Sequence, residues 1–173
     1  MITRDLMVEL EKWANSKIRA PLILRGARQV GKSWLATEFG KKFDHFIKIN
    51  LEKQSSLKSL FEGDINIPSL LEKIALYTNK KIIPGKTLLF IDEIQECEAA
   101  INYLRYFKEE YNALHVIAAG SLIDFKLKAI GLPVGRVDFL FLTPLSFGEY
   151  LTACGYENLR EYISKQHNAC FFQ

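Results

Sequence analysis

A glycine-rich segment that contains one lysine and one serine is the part of this sequence most suited to chemistry. It spans residues 26–33, reads G-A-R-Q-V-G-K-S, and comes just after an apolar run at 21–24. Glycine at two positions lets the backbone curl, so that consecutive N–H groups point at an anion. The helix expected next presents the positive end of its dipole to the same anion. The pattern is therefore typical of a loop that binds the phosphates of a nucleotide.

The residues of this loop have distinct expected contacts. Lys32 supplies a cation for the β- and γ-phosphates, and the hydroxyl of Ser33 is a ligand for Mg²⁺. Arg28 has two open roles, since it can contact phosphate or an acidic side chain. We expect the nucleotide to contact the whole loop and the start of the helix, which are Gly26, Ala27, Arg28, Gln29, Val30, Gly31, Lys32, Ser33 and Trp34.

A second candidate is a buried apolar segment that ends in two acids, Asp92 and Glu93. Continuous hydrophobicity over 88–91 is typical of a central parallel strand covered on both faces, and ligands of such sheets bind beyond the carboxyl ends of the strands. We expect Asp92 to hold Mg²⁺ directly or through water. Glu93 could then polarise a water molecule for in-line attack on the γ-phosphate. The competing interpretation is a strand that ends in a solvated acidic turn.

The residues around both motifs distinguish ATP from GTP. A GTPase needs D-x-x-G at the acidic strand, but Asp92 is followed by E-I-Q. It also needs N-K-x-D, but Asn79 begins the sequence N-K-K-I. Paired acids instead favour the ATPase branch of P-loop folds, in which an additional strand lies between the P-loop strand and the acidic strand. Residues 116–119 are the candidate for that strand.

Two further polar residues are candidates for catalysis. Ser121 follows the additional strand, where its hydroxyl can contact the γ-phosphate or the attacking water, and it can equally cap a helix starting at Leu122. Arg136 has the right chemistry for the charge that develops on a transferring phosphoryl group. The sequence leaves open whether Arg136 reaches its own nucleotide, that of a neighbouring molecule, or only a structural carboxylate.

Positioning these residues requires alternating strands and helices. The pattern predicts an α/β fold, a three-layer α/β/α sandwich around a mainly parallel five-stranded sheet. The strands are predicted at 22–25, 45–51, 87–92, 114–119 and 137–142. Helices are predicted up to residue 15 and at 32–41, 57–61, 69–79, 99–111 and 144–153, with a turn at 63–68.

The composition argues against several classes of protein. A hydrophobic content of 49% in 173 residues supports one sizeable core, and a net charge of +3 does not require nucleic acid as a partner. Cys97, Cys154 and Cys170 form no C-x-x-C pair, which disfavours a disulfide framework or a zinc site. The sequence has no signal peptide and no apolar stretch of about 18 residues. We therefore expect a cytoplasmic protein without a membrane partner.

The set of motifs resembles a bacterial and archaeal family of AAA-type ATP-binding proteins of the AAA+ superfamily, which usually carry a C-terminal domain of unknown function. The resemblance covers about residues 1–153 and rests on G-A-R-Q-V-G-K-S at 26–33, I-N-L-E at 49–52, F-I-D-E-I-Q at 90–95, G-S at 120–121, G-R at 135–136 and P-L-S-F-G-E-Y at 144–150. It implies an ATPase core that holds ATP and Mg²⁺ through Lys32, Ser33 and Asp92, with Glu93 as the catalytic residue.

The leading hypothesis is a Mg²⁺–ATP-binding domain that hydrolyses ATP to ADP and phosphate as the motor or switch of a larger protein. Residues 154–173 are expected to be the start of a C-terminal helical region that is cut short, which would leave the lid of AAA-type proteins incomplete. The alternative is a nucleotide-gated binding module for DNA or a protein partner, with little or no turnover. A small-molecule kinase is disfavoured, because no lid-like cluster of arginines is visible. The sequence identifies neither the partner nor the oligomeric state.

Overall fold

Five parallel strands form one sheet in the computed structural model, which describes residues 4–63, 66–121, 123 and 135–169. The strands are β1 (Leu22–Arg25), β2 (His45–Asn50), β3 (Thr87–Asp92), β4 (His115–Ala119) and β5 (Asp138–Phe141). Their order across the sheet is β2-β3-β4-β1-β5, and every neighbouring pair is parallel. The predicted fold class is confirmed, and β4 is the expected additional strand between β1 and β3.

Helices cover both faces of the sheet. They are α1 (Leu6–Asn15), α2 (Lys32–Gly40), α3 (Ile67–Thr78), α4 (Glu98–Glu110), α5 (Phe147–Ala153) and α6 (Glu157–Ala169), with short 3-10 helices at Ser55–Phe61 and Ile94–Glu96. Within the described part of the chain, no helix combines the length and the apolar character needed to cross a membrane.

Alternate residues of the central strands divide the core into two layers. Leu88 and Phe90 of β3 pack with buried residues of α1 and α2, such as Leu35. Leu89 and Ile91 face the opposite side, where they join the apolar faces of α3 and α4. Because side chains alternate along a strand, a strand that is apolar at every position must be covered on both faces. This explains why β3 is buried throughout.

The predicted starts of two helices were wrong for reasons that depend on capping. Helix α3 begins at Ile67, inside the predicted turn, because the side chain of Asn66 accepts a hydrogen bond from the N–H of Ser69 at 2.9 Å. Pro68 is tolerated in the first turn, where its missing N–H has no helical partner to lose. Helix α5 begins at Phe147, three residues later than predicted, because Ser146 forms a capping box with Glu149.

The parallel arrangement decides which residues can meet. The carboxyl ends of all five strands lie at one edge of the sheet, so the residues that follow β1, β2, β3 and β4 converge there. The residues that precede the strands lie at the opposite edge. We refer to the edge with the carboxyl ends of the strands as the carboxyl edge of the sheet, and to the opposite one as the amino edge.

Candidate functional site

The loop between β1 and α2 turns sharply at two glycines. Gly26 has a φ of 140° and Gly31 a φ of 98°, and Gln29 between them adopts a left-handed φ of 64°. A Cβ atom on Gly26 would lie 2.2 Å from the carbonyl oxygen of Leu142, so no larger residue fits. The curled backbone expected from the glycines is therefore present, and it begins at the carboxyl edge of the sheet.

Lys32 lies across this loop. Its Nζ donates hydrogen bonds to the carbonyl oxygens of Gly26 at 2.9 Å and Ala27 at 2.8 Å. Burial lowers the pKa of Lys32 from its ordinary value, against the opposing attraction of the Glu93 and Asp92 carboxylates. The ammonium group is thus held at the loop by weak acceptors, close to two negative charges.

Ser33 and Asp92 meet although they are 59 residues apart in sequence. The Ser33 hydroxyl donates to the Asp92 carboxylate, with distances of 2.8 and 3.0 Å to the two oxygens. Asn50 donates to the same carboxylate from the end of β2 at 3.4 Å. A hydroxyl and a carboxylate oxygen are the donors that Mg²⁺ prefers, so this pair fits a magnesium ion.

Lys48 is a charged residue of this site that the sequence did not single out. Its Nζ lies 3.3 Å from Oδ2 of Asp92, and its side chain is 37% exposed. Lys48 and Asn50 are two positions apart on β2, so both side chains are on the same face of the sheet. The alternation of side chains along β2 predicts that Lys48 lies near Asp92, but only if β2 is already known to lie beside β3.

Glu93 takes a left-handed backbone conformation directly after β3, with φ 51° and ψ 46°. Its carboxylate accepts a hydrogen bond of 2.6 Å from Nε2 of Gln95. Glu93 is half-buried, and it directly follows Asp92 in the sequence. Gln95 is a second residue that the sequence analysis did not assign to the site.

A mostly apolar cavity of about 510 Å³ adjoins the loop. Gln29 and Trp34 line one part of it, and Pro144 and Leu145 line another. Trp34 is 39% exposed although it is a large aromatic residue. An apolar cavity of this volume beside a phosphate-binding loop has the size and the chemistry to accept an aromatic base.

Arg4 connects several segments of this region through hydrogen bonds, and the sequence did not indicate this role. Its guanidinium donates to Glu149 Oε1 at 3.0 Å, to the carbonyl oxygen of Val30 at 3.0 Å and to that of Thr143 at 2.6 Å. Arg4 and Glu149 are both almost fully buried. The three contacts join the N-terminal segment, the loop and α5. A single arginine 145 residues from its partner leaves no pattern in the sequence.

Glu149 is held in its charged form. Burial by itself would raise the pKa of the Glu149 carboxyl. Backbone hydrogen bonds from Ser146 and Asp5, together with the Arg4 guanidinium, outweigh burial, so that the pKa lies below its ordinary value. The Glu149 carboxyl is therefore charged near neutral pH.

Three predicted residues have other surroundings. Arg136 forms an ion pair with Glu109 and precedes β5, so it lies at the amino edge, away from the loop. Of its three alternatives, the structural carboxylate is the contact that is present, and contact with a neighbouring molecule's nucleotide stays a prediction. Ser121 follows β4 at the carboxyl edge, whereas its role as a helix cap also involves residues 122 and 124–134, which lie outside the described ones. Arg28 is exposed on the loop.

A five-stranded parallel sheet of this order, with the curled glycine loop after β1 and paired acids at the end of β3, defines a P-loop nucleoside-triphosphatase fold. Residues 19–151 match the AAA domain family, and the chain belongs to that family. No curated protein matches the chain in sequence.

Solved structures with a similar fold include the following two. One is the Walker-type ATPase of Pyrococcus abyssi, with a TM-score of 0.55 and 15% identity, over 88% of this chain and 56% of that one. The other is PCH-2 of C. elegans, with a TM-score of 0.50 and 15% identity, over 81% of this chain and 42% of that one. The chain therefore spans about half the length of these proteins. At this identity the similarity concerns the fold alone.

Proposed function

We propose that this chain binds Mg²⁺–ATP and hydrolyses ATP to ADP and phosphate, as the motor or switch domain of a larger protein. The observation that carries the proposal is the convergence of Lys32, Ser33, Asp92 and Glu93 at the carboxyl edge of the sheet. These residues supply a cation, a hydroxyl, a metal-binding carboxylate and a second carboxylate that can act as a base.

Binding uses the loop, the start of α2 and the adjoining cavity. Backbone N–H groups of the loop and the dipole of α2 attract the phosphates. Lys32 exchanges its two carbonyl contacts for phosphate oxygens, which are stronger acceptors because they are charged. The adenine enters the apolar cavity beside Trp34 and Leu145.

Ser33 and Asp92 are the residues that would hold Mg²⁺, since their oxygens already lie within hydrogen-bonding distance of each other. When bound, this ion neutralises charge on the β- and γ-phosphate oxygens. Asn50 reaches the same carboxylate and fixes its orientation.

Hydrolysis is an in-line displacement at the γ-phosphorus. The Glu93 carboxylate takes a proton from a water molecule as the water oxygen bonds to phosphorus, and the bond to the ADP oxygen breaks. The strand order, with β4 between β1 and β3, supports a role for Ser121 beside the γ-phosphate or the water. We assign it a polar contact with one of these groups.

The test compares Lys32→Ala and Glu93→Gln with the unaltered chain. Saturating Mg²⁺–ATP, at about 100 times its dissociation constant, should stabilise the unaltered fold by about 2.7 kcal/mol in a thermal melt. Glu93→Gln should keep this stabilisation and lose about 10²- to 10⁴-fold in phosphate release. Lys32→Ala should lose most of the stabilisation. Glu96→Gln, an exposed acid in the same turn, is the matched control and should behave like the unaltered chain.

Each failure has a separate meaning. A chain that binds ATP but releases phosphate no faster than Glu93→Gln is a nucleotide-gated binding module for DNA or a protein, rather than an ATPase. A melt that Mg²⁺–ATP does not shift contradicts nucleotide binding itself. Transfer of labelled phosphate to a small molecule, instead of its release, would indicate a kinase.

A further inference from the structure

The hydrogen bond between Glu93 and Gln95 has a definite direction. A carboxylate can only accept hydrogen bonds, so the amino group of the Gln95 amide must face Glu93 and the amide oxygen must face away. The donor–acceptor distance of 2.6 Å is short, as expected for a bond to a charged acceptor. Gln95 therefore holds one of the two carboxylate oxygens of Glu93.

The turn that carries both residues is firmly anchored. The N–H of Glu96 donates to the carbonyl of Glu93, and that of Cys97 to the carbonyl of Ile94, each at 3.0 Å. The side chain of Ile94, in the same turn, is fully buried. A left-handed residue other than glycine costs about 1 to 2 kcal/mol, so Glu93 keeps its conformation only because this turn imposes it. Two side chains two positions apart can meet here because of that turn.

The opposite end of the Gln95 amide lies against the end of β4. Its oxygen is buried and has no hydrogen-bond partner among the residues that the structure describes. A Cβ atom on Gly120 would lie 2.1 Å from this oxygen. The φ of Gly120 is not in the left-handed region, so a larger residue here would disturb the Gln95 amide and would not strain the backbone.

We propose that Gln95 is a positioning residue that fixes the Glu93 carboxylate for hydrolysis, and that Gly120 is needed because it leaves room for the Gln95 amide. This inference rests on the proposed function, in which Glu93 is the base. Gln95 then connects the ends of β3 and β4, the two strands that flank the position of the attacking water. The residue after Gly120 is Ser121, so both sides of this contact belong to the catalytic edge.

Two substitutions test the proposal from opposite sides of the contact. Gln95→Met keeps the length of the side chain and removes its donor. Gly120→Ala leaves Gln95 unchanged and displaces its amide, which is the far end of a flexible side chain, so the fold should tolerate it. Each should lower kcat at least tenfold, while KM and the ATP-dependent shift of the melting temperature change less than twofold.

The combinations show whether both act through Glu93. The double variant Gln95→Met/Gly120→Ala should be no slower than the slower single variant, since both remove the same contact. Gln95→Met should have no further effect in a Glu93→Gln background. Gly148→Ala is the control, because the three atoms nearest its new Cβ all belong to the flexible side chain of Arg160 rather than to Gln95. It should leave kcat unchanged.

A readout that does not need turnover completes the test. In NMR spectra of the nucleotide-free chain, the side-chain NH₂ signals of Gln95 should move towards those of a solvated glutamine in both Glu93→Ala and Gly120→Ala. An unaltered chain without turnover contradicts the proposed function. An active chain in which Gln95→Met keeps or raises kcat, or in which Glu93→Ala leaves the Gln95 signals in place, overturns the positioning role alone.

Discussion

At the scale of single residues, the Asp92 carboxylate has more partners than a magnesium ligand needs. Ser33 and Asn50 donate hydrogen bonds to it, and the Lys48 ammonium lies 3.3 Å from one of its oxygens. A cation this close competes electrostatically with a metal ion for the same oxygen. Lys48 should therefore weaken Mg²⁺ binding, and its positive charge should balance the negative charge of the Asp92 carboxylate when the metal is absent.

We predict that Lys48→Met lowers the Mg²⁺ concentration needed for half of the ATP-induced stabilisation by about two- to tenfold, because a competing charge is removed. The measurement is the melting temperature at fixed ATP across a Mg²⁺ titration. Lys17→Met, which removes an exposed lysine elsewhere, should leave the midpoint unchanged. A higher Mg²⁺ requirement in Lys48→Met would mean that Lys48 assists the bound nucleotide instead.

The sequence predicts those site residues whose spacing follows from local chemistry. The loop glycines and Lys32 belong to one continuous motif, and the pairing of Ser33 with Asp92 follows from the shared edge of a parallel sheet. Lys48 and Gln95 could not be predicted in this way. Their contacts depend on which strand neighbours β3 and on the left-handed turn at Glu93, neither of which leaves a local pattern.

At the scale of secondary-structure elements, a buried ion pair joins α5 to the loop. Arg4 and Glu149 have side chains only 6% and 5% exposed, and Arg4 also donates to the carbonyl of Val30. The surface pair of Arg160 with Asp5 links nearby elements, but its side chains are 31% and 55% exposed. Because the two pairs differ in burial, we expect their removal to lower the free energy of unfolding by different amounts.

We predict that Arg4→Met lowers the free energy of unfolding by about 3 to 5 kcal/mol, because it leaves the Glu149 carboxylate buried without its partner. Arg160→Met, the matched control on the exposed pair, should cost about 1 kcal/mol or less. Urea denaturation of both variants measures the difference. Similar losses in the two variants would show that burial does not govern the Arg4 pair.

The boundaries of the elements were predictable where hydrophobic patterning decides them. Strands β1 and β3 have the predicted bounds, and each begins and ends within one residue of its apolar run. The predicted start of α3 was wrong because Pro68 is also typical of a turn. In the structure, Asn66 caps the helix and Pro68 lies in its first turn. Capping depends on the orientation of one side chain, which composition alone does not reveal.

At the scale of the whole molecule, the sheet separates the nucleotide site from a buried histidine at the amino edge. His115 Nε2 lies 3.2 Å from the carbonyl oxygen of Ala14, and the rings of Trp13 and Phe43 pack edge-on against it. Burial, followed by the charge of Arg19, lowers the pKa of His115 from its ordinary value, and the Ala14 carbonyl only partly opposes this. The fold therefore favours the neutral imidazole.

We predict that the fold loses stability as the pH falls from 7 through about 6.5 and below, because the unfolded chain then binds a proton that folded His115 resists. The contribution of His115 is fully present above the unfolded pKa and is lost as the pH approaches the lower folded value. The slope should reach at most about 1.4 kcal/mol per pH unit. Urea denaturation between pH 8 and 5 measures it, and His115→Gln should flatten the curve. An unchanged slope in that variant would assign the effect to other groups.

The two bonds that Lys32 makes to its own loop have a consequence for which anions the site admits. Any incoming ligand must outcompete Gly26 and Ala27 for the ammonium group. Carbonyl oxygens carry partial charges, and a small monovalent anion offers little more while losing its hydration shell. A di- or triphosphate brings several charges that the curved backbone can engage together. The loop carbonyls thus compete with the ligand for Lys32, and we expect the site to favour ligands of high negative charge.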